Sequence, residues 1–274
     1  MTTTRSRLVF ADLDGTLIDH DQSVPASAAR ACRRLTENGH RLFMCTGRLM
    51  PEIYPWLWEL GFSGAVTGAG GYIVAEGAVL RDRRIAREQI EELTELWRRF
   101  DGMWIWQGPE AMHPRPGFLE SFVAGAGNGD GSWRAYAESI APSIREGLPE
   151  STTKCTVYLP AGRVQVEELR ALVPVGIQVI SGSIPSGRTM VVEAYPDDVT
   201  KGHGLKLVAD HYDVELSRTV AIGDSMNDID ALATAGTGIA MGGASPEVVL
   251  AADLLAPALE DDGFARALKA ADLI

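Results

Sequence analysis

At 274 residues the chain is too long for one small core and suits two modest domains. Hydrophobic residues make up 46% and charged residues 23%, the profile of a soluble globular protein, and a formal net charge of −12 disfavours nucleic acid or an anionic membrane as partner. Cys32, Cys45 and Cys155 are isolated and odd in number, which suits neither a disulfide framework nor a zinc motif, and Cys32 and Cys45 read as small core residues.

The N-terminus, MTTTRSRLVFADLDG, runs into a strand and a charged turn too early for a signal peptide. No apolar run of membrane-spanning length follows anywhere, so the expected location is the cytoplasm. Arg7 to Ala11 is a short apolar run ending on acidic residues, the pattern of a buried parallel strand with charge at its carboxyl end. Pro25 can open a helix whose apolar stripe is Ala28, Cys32 and Leu35, and Gly39 closes it. Arg41 to Cys45 is the next strand and completes a βαβ unit.

From about Arg83 to Tyr195 the pattern changes. Helices are expected at Glu88 to Phe100 and Val164 to Leu172, and strands at Met103 to Gln107 and Lys154 to Leu159. Ile177 to Ser181 and Thr189 to Ala194 look like a hairpin around SIPSG, and GAGNGDGS (Gly125 to Ser132) reads as a flexible stretch. The α/β signals then resume with a helix from Lys201 to Tyr212, a strand from Thr219 to Ile222, a helix near Ile229 to Ala235 and a strand from Gly238 to Met241. The expected fold is a doubly wound parallel α/β core over residues 1–82 and 196–274, with an α+β domain inserted at 83–195.

Asp12 and Asp14 stand just past the first strand, where two close carboxylates are costly without a cation. A hard divalent ion such as Mg²⁺ prefers oxygen ligands. Asp12 can offer a carboxylate oxygen and Asp14 its backbone carbonyl, which frees the Asp14 side chain for proton transfer. Asp224 follows the Thr219 strand and is the better ligand there. Asp228 reads as an N-cap, as a residue orienting the metal site or as a further ligand. Thr46 and Gly47 offer a hydroxyl and backbone N–H groups to phosphate, and Arg48 could reach substrate or pair with a neighbouring acid. Lys201 opens a helix, where a cation gains most from an anion opposite it. The five His show no ligand spacing, although His203 is close to Lys201. Trp104 and Trp106 share a strand face and read as core, with substrate stacking as the other possibility.

Together these pieces resemble the haloacid dehalogenase superfamily. DLDGT (Asp12 to Thr16) resembles its first motif, CTGR (Cys45 to Arg48) the second, TKG (Thr200 to Gly202) the third and GDSMND (Gly223 to Asp228) the fourth. An insertion between the second and third motifs resembles the type IIB cap of the Cof-type branch, as does the tail EDDGFARAL (Glu260 to Leu268). The resemblance implies Asp12 as nucleophile, Asp14 as general acid and base, and Thr46 and Lys201 as anchors of phosphate and nucleophile. Mg²⁺ would be held by Asp12, the Asp14 carbonyl and Asp224, with Asn227 near the phosphate. The chain departs from the branch in carrying Ala69-Gly70 where Asn-Gly is usual.

The activity implied is a Mg²⁺-dependent phosphomonoesterase acting on a small phosphorylated metabolite, as a monomer or weak homodimer. The alternatives are a phosphotransferase or mutase using the same aspartyl phosphate, and a phospho-accepting regulatory protein similar to response-regulator receivers. The long insertion argues against the last.

Overall fold

The computed structural model describes residues 6–19, 21–120, 132–182 and 189–274. His20, the SIPSG turn and all but the end of the Gly125 to Ser132 stretch lie outside them. The chain forms two compact units. One comprises Met1–Arg48, Tyr54–Arg81 and Thr200–Ile274; the other comprises Leu49–Ile53 and Asp82–Val199. The second unit therefore extends one residue before 83 and four residues past 195. Pro196 still pairs with Ile177, and Gln178 Nε2 donates to the carbonyls of Pro196 at 3.1 Å and Val199 at 2.9 Å. It also claims five residues directly after Arg48, which the sequence pattern does not announce.

In the first unit the strands lie in the order Leu254–Leu255, Thr237–Ala240, Thr219–Gly223, Leu8–Ala11, Arg41–Cys45, Phe62–Thr67, Tyr72–Ala75 and Ala78–Asp82. From Leu254–Leu255 to Phe62–Thr67 every neighbouring pair is parallel. Both faces of the central strands are buried, which is why they read as continuous apolar runs. Leu8 and Phe10 pack in one cluster with Leu205 and Val208 of the Lys201–His211 helix and Leu232 of the Ile229–Thr234 helix. Val9 and Ala11 alternate with them and are equally buried. The Ala26–Glu37 helix, with Ala28, Ala31, Cys32 and Leu35 buried, packs against the Gly263–Ala270 helix. The fold is a doubly wound parallel α/β core. Its chain order diverges at Leu8–Ala11, flanked by Arg41–Cys45 on one side and Thr219–Gly223 on the other. In such sheets a crevice for ligands opens beyond the carboxyl ends at that divergence.

The second unit is α+β. Its sheet runs in the order Ile177–Ser181, Thr189–Pro196, Lys154–Pro160, Met103–Gln107 and Met112–Pro114, antiparallel throughout. One face is covered by the Arg87–Arg99 and Val166–Leu172 helices, burying Trp104, Trp106, Cys155, Val157 and Leu159 against Ile90, Leu93, Trp97 and Leu169. Trp104 is 4% exposed and Trp106 fully buried, with Trp106 Nε1 donating to Thr94 Oγ1 at 3.3 Å. Both are core residues. The opposite face, reached by the alternate residues, carries Gln107, Lys154, Thr156 and Glu193, with Lys154 Nζ 2.6 Å from Glu193 Oε1. Among the described residues no helix is long and apolar enough to cross a membrane.

Candidate active site

The site grows from three adjacent parallel strand tips. Asp12 continues the central strand by donating its N–H to Ile222 O at 2.9 Å. The following loop turns back on itself, with Leu17 N and Ile18 N both donating to Leu13 O. Leu13, Leu17 and Ile18 are fully buried and pin the loop, so Asp12 lies inside, 5% exposed, while the Asp14 side chain is 52% exposed. Gly15 occupies φ +81°, and a Cβ there would lie 2.7 Å from Asp224 Oδ2. Only glycine allows the carboxylate of the neighbouring strand tip to come this close.

Asp224 follows Gly223 on that neighbouring strand, and its Oδ1 accepts from Thr16 Oγ1 at 2.9 Å. Lys201 is buried completely at the start of its helix. Its Nζ donates to Asp12 Oδ1 at 2.8 Å and to Asp228 Oδ1 at 2.6 Å. The helix start is pressed deep because Gly202 and Gly204 lack side chains. A Cβ at 204 would meet Val66 Cγ1 at 2.4 Å, and one at 202 would meet Asp230 Oδ2 at 2.5 Å. Thr200 caps the helix by accepting from His203 N.

Asp228 has both oxygens engaged. Oδ1 accepts from Lys201, and Oδ2 accepts from the backbone N–H groups of Asp224 at 3.2 Å and Ser225 at 3.0 Å, and from Ser225 Oγ. The same carboxylate closes a capping box with Ser225. Thr46 is buried at the third tip, where its Oγ1 accepts from Arg48 N at 3.1 Å. Asn227 Oδ1 accepts from Ser225 Oγ at 3.0 Å. Arg48 grips Asp14 with two hydrogen bonds, Nη2 to Oδ1 at 2.5 Å and Nε to Oδ2 at 2.9 Å, so of its two readings the acid pair is present. Ala69 stands at φ +56°, a left-handed conformation that Asn tolerates better than Ala, so the departure from Asn-Gly places Ala in a strained backbone position.

Asp12, Asp224 and Asp228 each bring one carboxylate oxygen within 4.8 Å of the others. Burial first, then the charges of Asp228 and Asp224, push the Asp12 carboxyl well above the usual range, against the pull of Lys201. Asp224 is pushed up to about 6 by burial and by Asp228. Burial, the largest influence on Lys201, lowers its pKa, but Asp12 and Asp228 together hold the ammonium above the ordinary lysine range. Three carboxylates face one ammonium, an excess of two negative charges that a divalent cation would balance. An all-oxygen donor set suits a hard ion of the Mg²⁺ kind. The residues present therefore fit the group.

Thr16 and Ser225 are the site residues that the sequence reading passed over. Thr16 is the last letter of DLDGT, and Ser225 stands three residues before Asp228, the spacing of a capping box. Gly47 and Arg48 lie on the turn after Thr46, and the Asp14 side chain is not in the carboxylate cluster.

Comparison with known proteins adds an independent line. A 5-amino-6-(5-phospho-D-ribitylamino)uracil phosphatase of Bacillus subtilis is 24% identical, covering 97% of each chain. A phosphoglycolate phosphatase of Methanopyrus kandleri is 27% identical, covering 96% of this chain and 95% of its own. A solved phosphatase of the haloalkanoate dehalogenase enzyme superfamily from Bacteroides thetaiotaomicron superposes with a TM-score of 0.80 at 23% identity, covering 99% of this chain and 97% of its own. The family described as haloacid dehalogenase-like hydrolase matches residues 9–117 and 141–268, well over half the sequence, and the chain belongs to it.

Proposed function

We propose that this phosphatase hydrolyses phosphomonoesters of small metabolites through a phosphoryl group carried on Asp12, with a divalent metal ion, Mg²⁺ by preference, in the carboxylate cluster. The observation that carries the reading is the buried Lys201 ammonium on Asp12 Oδ1, which holds the carboxylate at the sheet's ligand-binding edge and keeps one oxygen anchored. Asp12, Asp224 and the Asp14 carbonyl would hold the metal, with Asp228 orienting from behind. When bound, the metal offsets negative charge on the phosphoryl oxygens and on the carboxylates.

The Asp12 carboxylate attacks phosphorus, the bond from phosphorus to the ester oxygen breaks, and the electron pair leaves with that oxygen. The Asp14 carboxyl gives its proton to the departing oxygen. As a carboxylate it then takes a proton from water, whose oxygen attacks phosphorus and releases Asp12 and inorganic phosphate. Lys201 stays on Asp12 throughout and offsets charge on the transferring group. Thr46 and Asn227, with the N–H group of Gly47, are assigned to phosphate oxygens. The second unit carries none of the four motifs and is assigned the choice of leaving group. Two relatives are named for small phosphorylated compounds, which supports a substrate of that class.

The test is turnover of a panel of phosphorylated metabolites by the Mg²⁺-loaded protein, beside Asp12→Asn. The wild type should release phosphate and give an acid-stable phosphoenzyme on rapid quench, and Asp12→Asn should do neither. Wild-type turnover by Asp12→Asn would overturn the nucleophile assignment.

A further inference from the structure

Asp14 does not stand alone outside the carboxylate cluster. Arg48 holds both its oxygens in a fork, which fixes the plane of the carboxyl as well as its distance. The guanidinium is itself held: Nη2 also donates to Gln22 Oε1 at 2.6 Å, and its carbon lies 5.3 Å from the centre of the Tyr54 ring. Tyr54 Oη donates to the same Gln22 oxygen at 3.2 Å. The amide oxygen of Gln22 thus joins the residue that grips Asp14 to the tyrosine that backs it. Gln22 sits in a tight turn, with its N–H on Asp19 O, and adopts φ +63°, a left-handed conformation uncommon for a side chain of this kind. A non-glycine residue kept in that conformation where its side chain serves as a double acceptor points to use rather than accident.

Arg48 and Tyr54 are the two residues that flank Leu49–Ile53, the short excursion of the chain into the second unit. Within that unit the excursion is tied down by Glu52, which is buried. Its Oε2 accepts from Leu49 N at 2.7 Å, and its Oε1 accepts from Gln107 Nε2 at 3.0 Å and Tyr136 Oη at 2.7 Å. Gln107 is in turn fixed by Thr156 Oγ1 at 2.6 Å. A strap of five residues therefore has its middle anchored to the second unit's sheet, while both flanking residues close on Gln22.

We propose that Gln22, Arg48 and Tyr54 are positioning residues that set where the Asp14 carboxyl stands, and that Glu52 makes this grip answer to the second unit through the strap. The proposal rests on Asp14 being the acid and base. A displacement of the strap reaches residues 48 and 54, its two neighbours in the first unit, and the guanidinium of Arg48 carries that movement to Asp14. The strap would thus link the unit that selects the leaving group to the carboxyl that protonates it.

The test uses two artificial esters and the Mg²⁺-loaded full chain. Nitrophenolate departs without help, whereas the more basic phenolate gains from a well-placed proton donor, and both esters give the same phosphoenzyme. The ratio of kcat/KM for p-nitrophenyl phosphate to kcat/KM for phenyl phosphate, which stops at phosphoryl transfer, therefore reads the placement of Asp14. Asp14→Asn should raise that ratio by about 100-fold, the ordinary worth of a general acid. Gln22→Ala, Tyr54→Phe and Glu52→Gln should each raise it by about 3- to 10-fold with KM little changed, a partial loss of the same effect. Gln22→Glu, which keeps an acceptor oxygen, should return it toward wild type. Each variant's melting temperature is recorded, because a purely structural role lowers stability without moving the ratio. If Gln22→Ala, Tyr54→Phe and Glu52→Gln keep the wild-type ratio while Asp14→Asn changes it, the strap is wrong and the acid–base reading stands. An unchanged ratio in Asp14→Asn sinks the acid–base reading and the proposal with it.

Discussion

The ammonium of Lys201 and the carboxylate of Asp12, 189 residues apart in the chain, meet at 2.8 Å with Lys201 wholly buried. The same ammonium holds Asp228 at 2.6 Å, so one cation offsets two carboxylates in the interior. Removing it leaves two buried charges without compensation, which is far costlier than losing a surface pair.

Lys201→Met should therefore destabilise the protein by roughly 3–5 kcal/mol and abolish turnover. The corresponding fall in melting temperature is on the order of 10 °C. Adding Asp228→Asn to Lys201→Met should recover part of the stability but none of the activity. Thermal denaturation of the three proteins in chelator reads this; equal melting temperatures for wild type and Lys201→Met would refute the charge argument.

The raised pKa of Asp224, about 6, comes from burial first and from Asp228 second, and Asp12 shifts in the same direction. A carboxyl whose folded pKa lies above its unfolded value stabilises the fold below about pH 4, and that contribution is lost as pH rises through the folded value. The metal-free protein should thus lose stability between pH 5 and 7.5. Mg²⁺ should raise the melting temperature by several degrees at pH 7.5 and by much less at pH 5. Asp224→Asn should weaken both the pH slope and the Mg²⁺ increment. Equal Mg²⁺ increments at the two pH values would count against the cluster as the metal site.

Gly15→Ala forces a Cβ into φ +81° and toward Asp224 Oδ2. The backbone term alone is roughly 1–2 kcal/mol, and displacement of the Asp224 carboxylate adds to it. The Mg²⁺ concentration for half-maximal turnover should rise several-fold. An alanine variant with wild-type Mg²⁺ dependence would show that the close approach is unimportant.

For the tryptophans, burial decides against substrate stacking. Trp106→Phe removes the hydrogen bond to Thr94 and leaves a gap in the core, costing roughly 1–3 kcal/mol. Relative rates across a panel of phosphate esters should not change. A selective rise in KM for one ester, with stability intact, would return Trp106 to the list of specificity residues.

Which side chains gather at the sheet's carboxyl edge was legible in the sequence because their positions are local. Asp12, Thr46 and Asp224 each follow a short apolar run, and a parallel sheet places all such tips on one edge. Other elements escaped reading. Phe62–Thr67, Tyr72–Ala75 and Ala78–Asp82 lie in a glycine-rich stretch without clear alternation and become strands only by pairing side by side beyond Arg41–Cys45. Nothing in the apolar periodicity marks Leu49–Ile53 as part of the second unit, since its anchor is one carboxylate bonded to residues 55 and 84 positions away.

The residue types and spacing of the four motifs specify which groups stand at the strand tips and the helix start. Local chain geometry carries that information, because strand tips and helix starts are set by neighbours in sequence. Tertiary structure alone decides which of those groups meet. Lys201 reaches Asp12 only because Gly202 and Gly204 let their helix press against Asp230 and Val66. Asp14 turns to Arg48 while Asp12 turns inward, because the buried Leu13 and Leu17 pin the loop between sheet and solvent. Trp104 and Trp106 face the core, because the Arg87–Arg99 helix covers their side of the sheet. Each of these depends on packing between segments far apart in the chain, which residue order does not express.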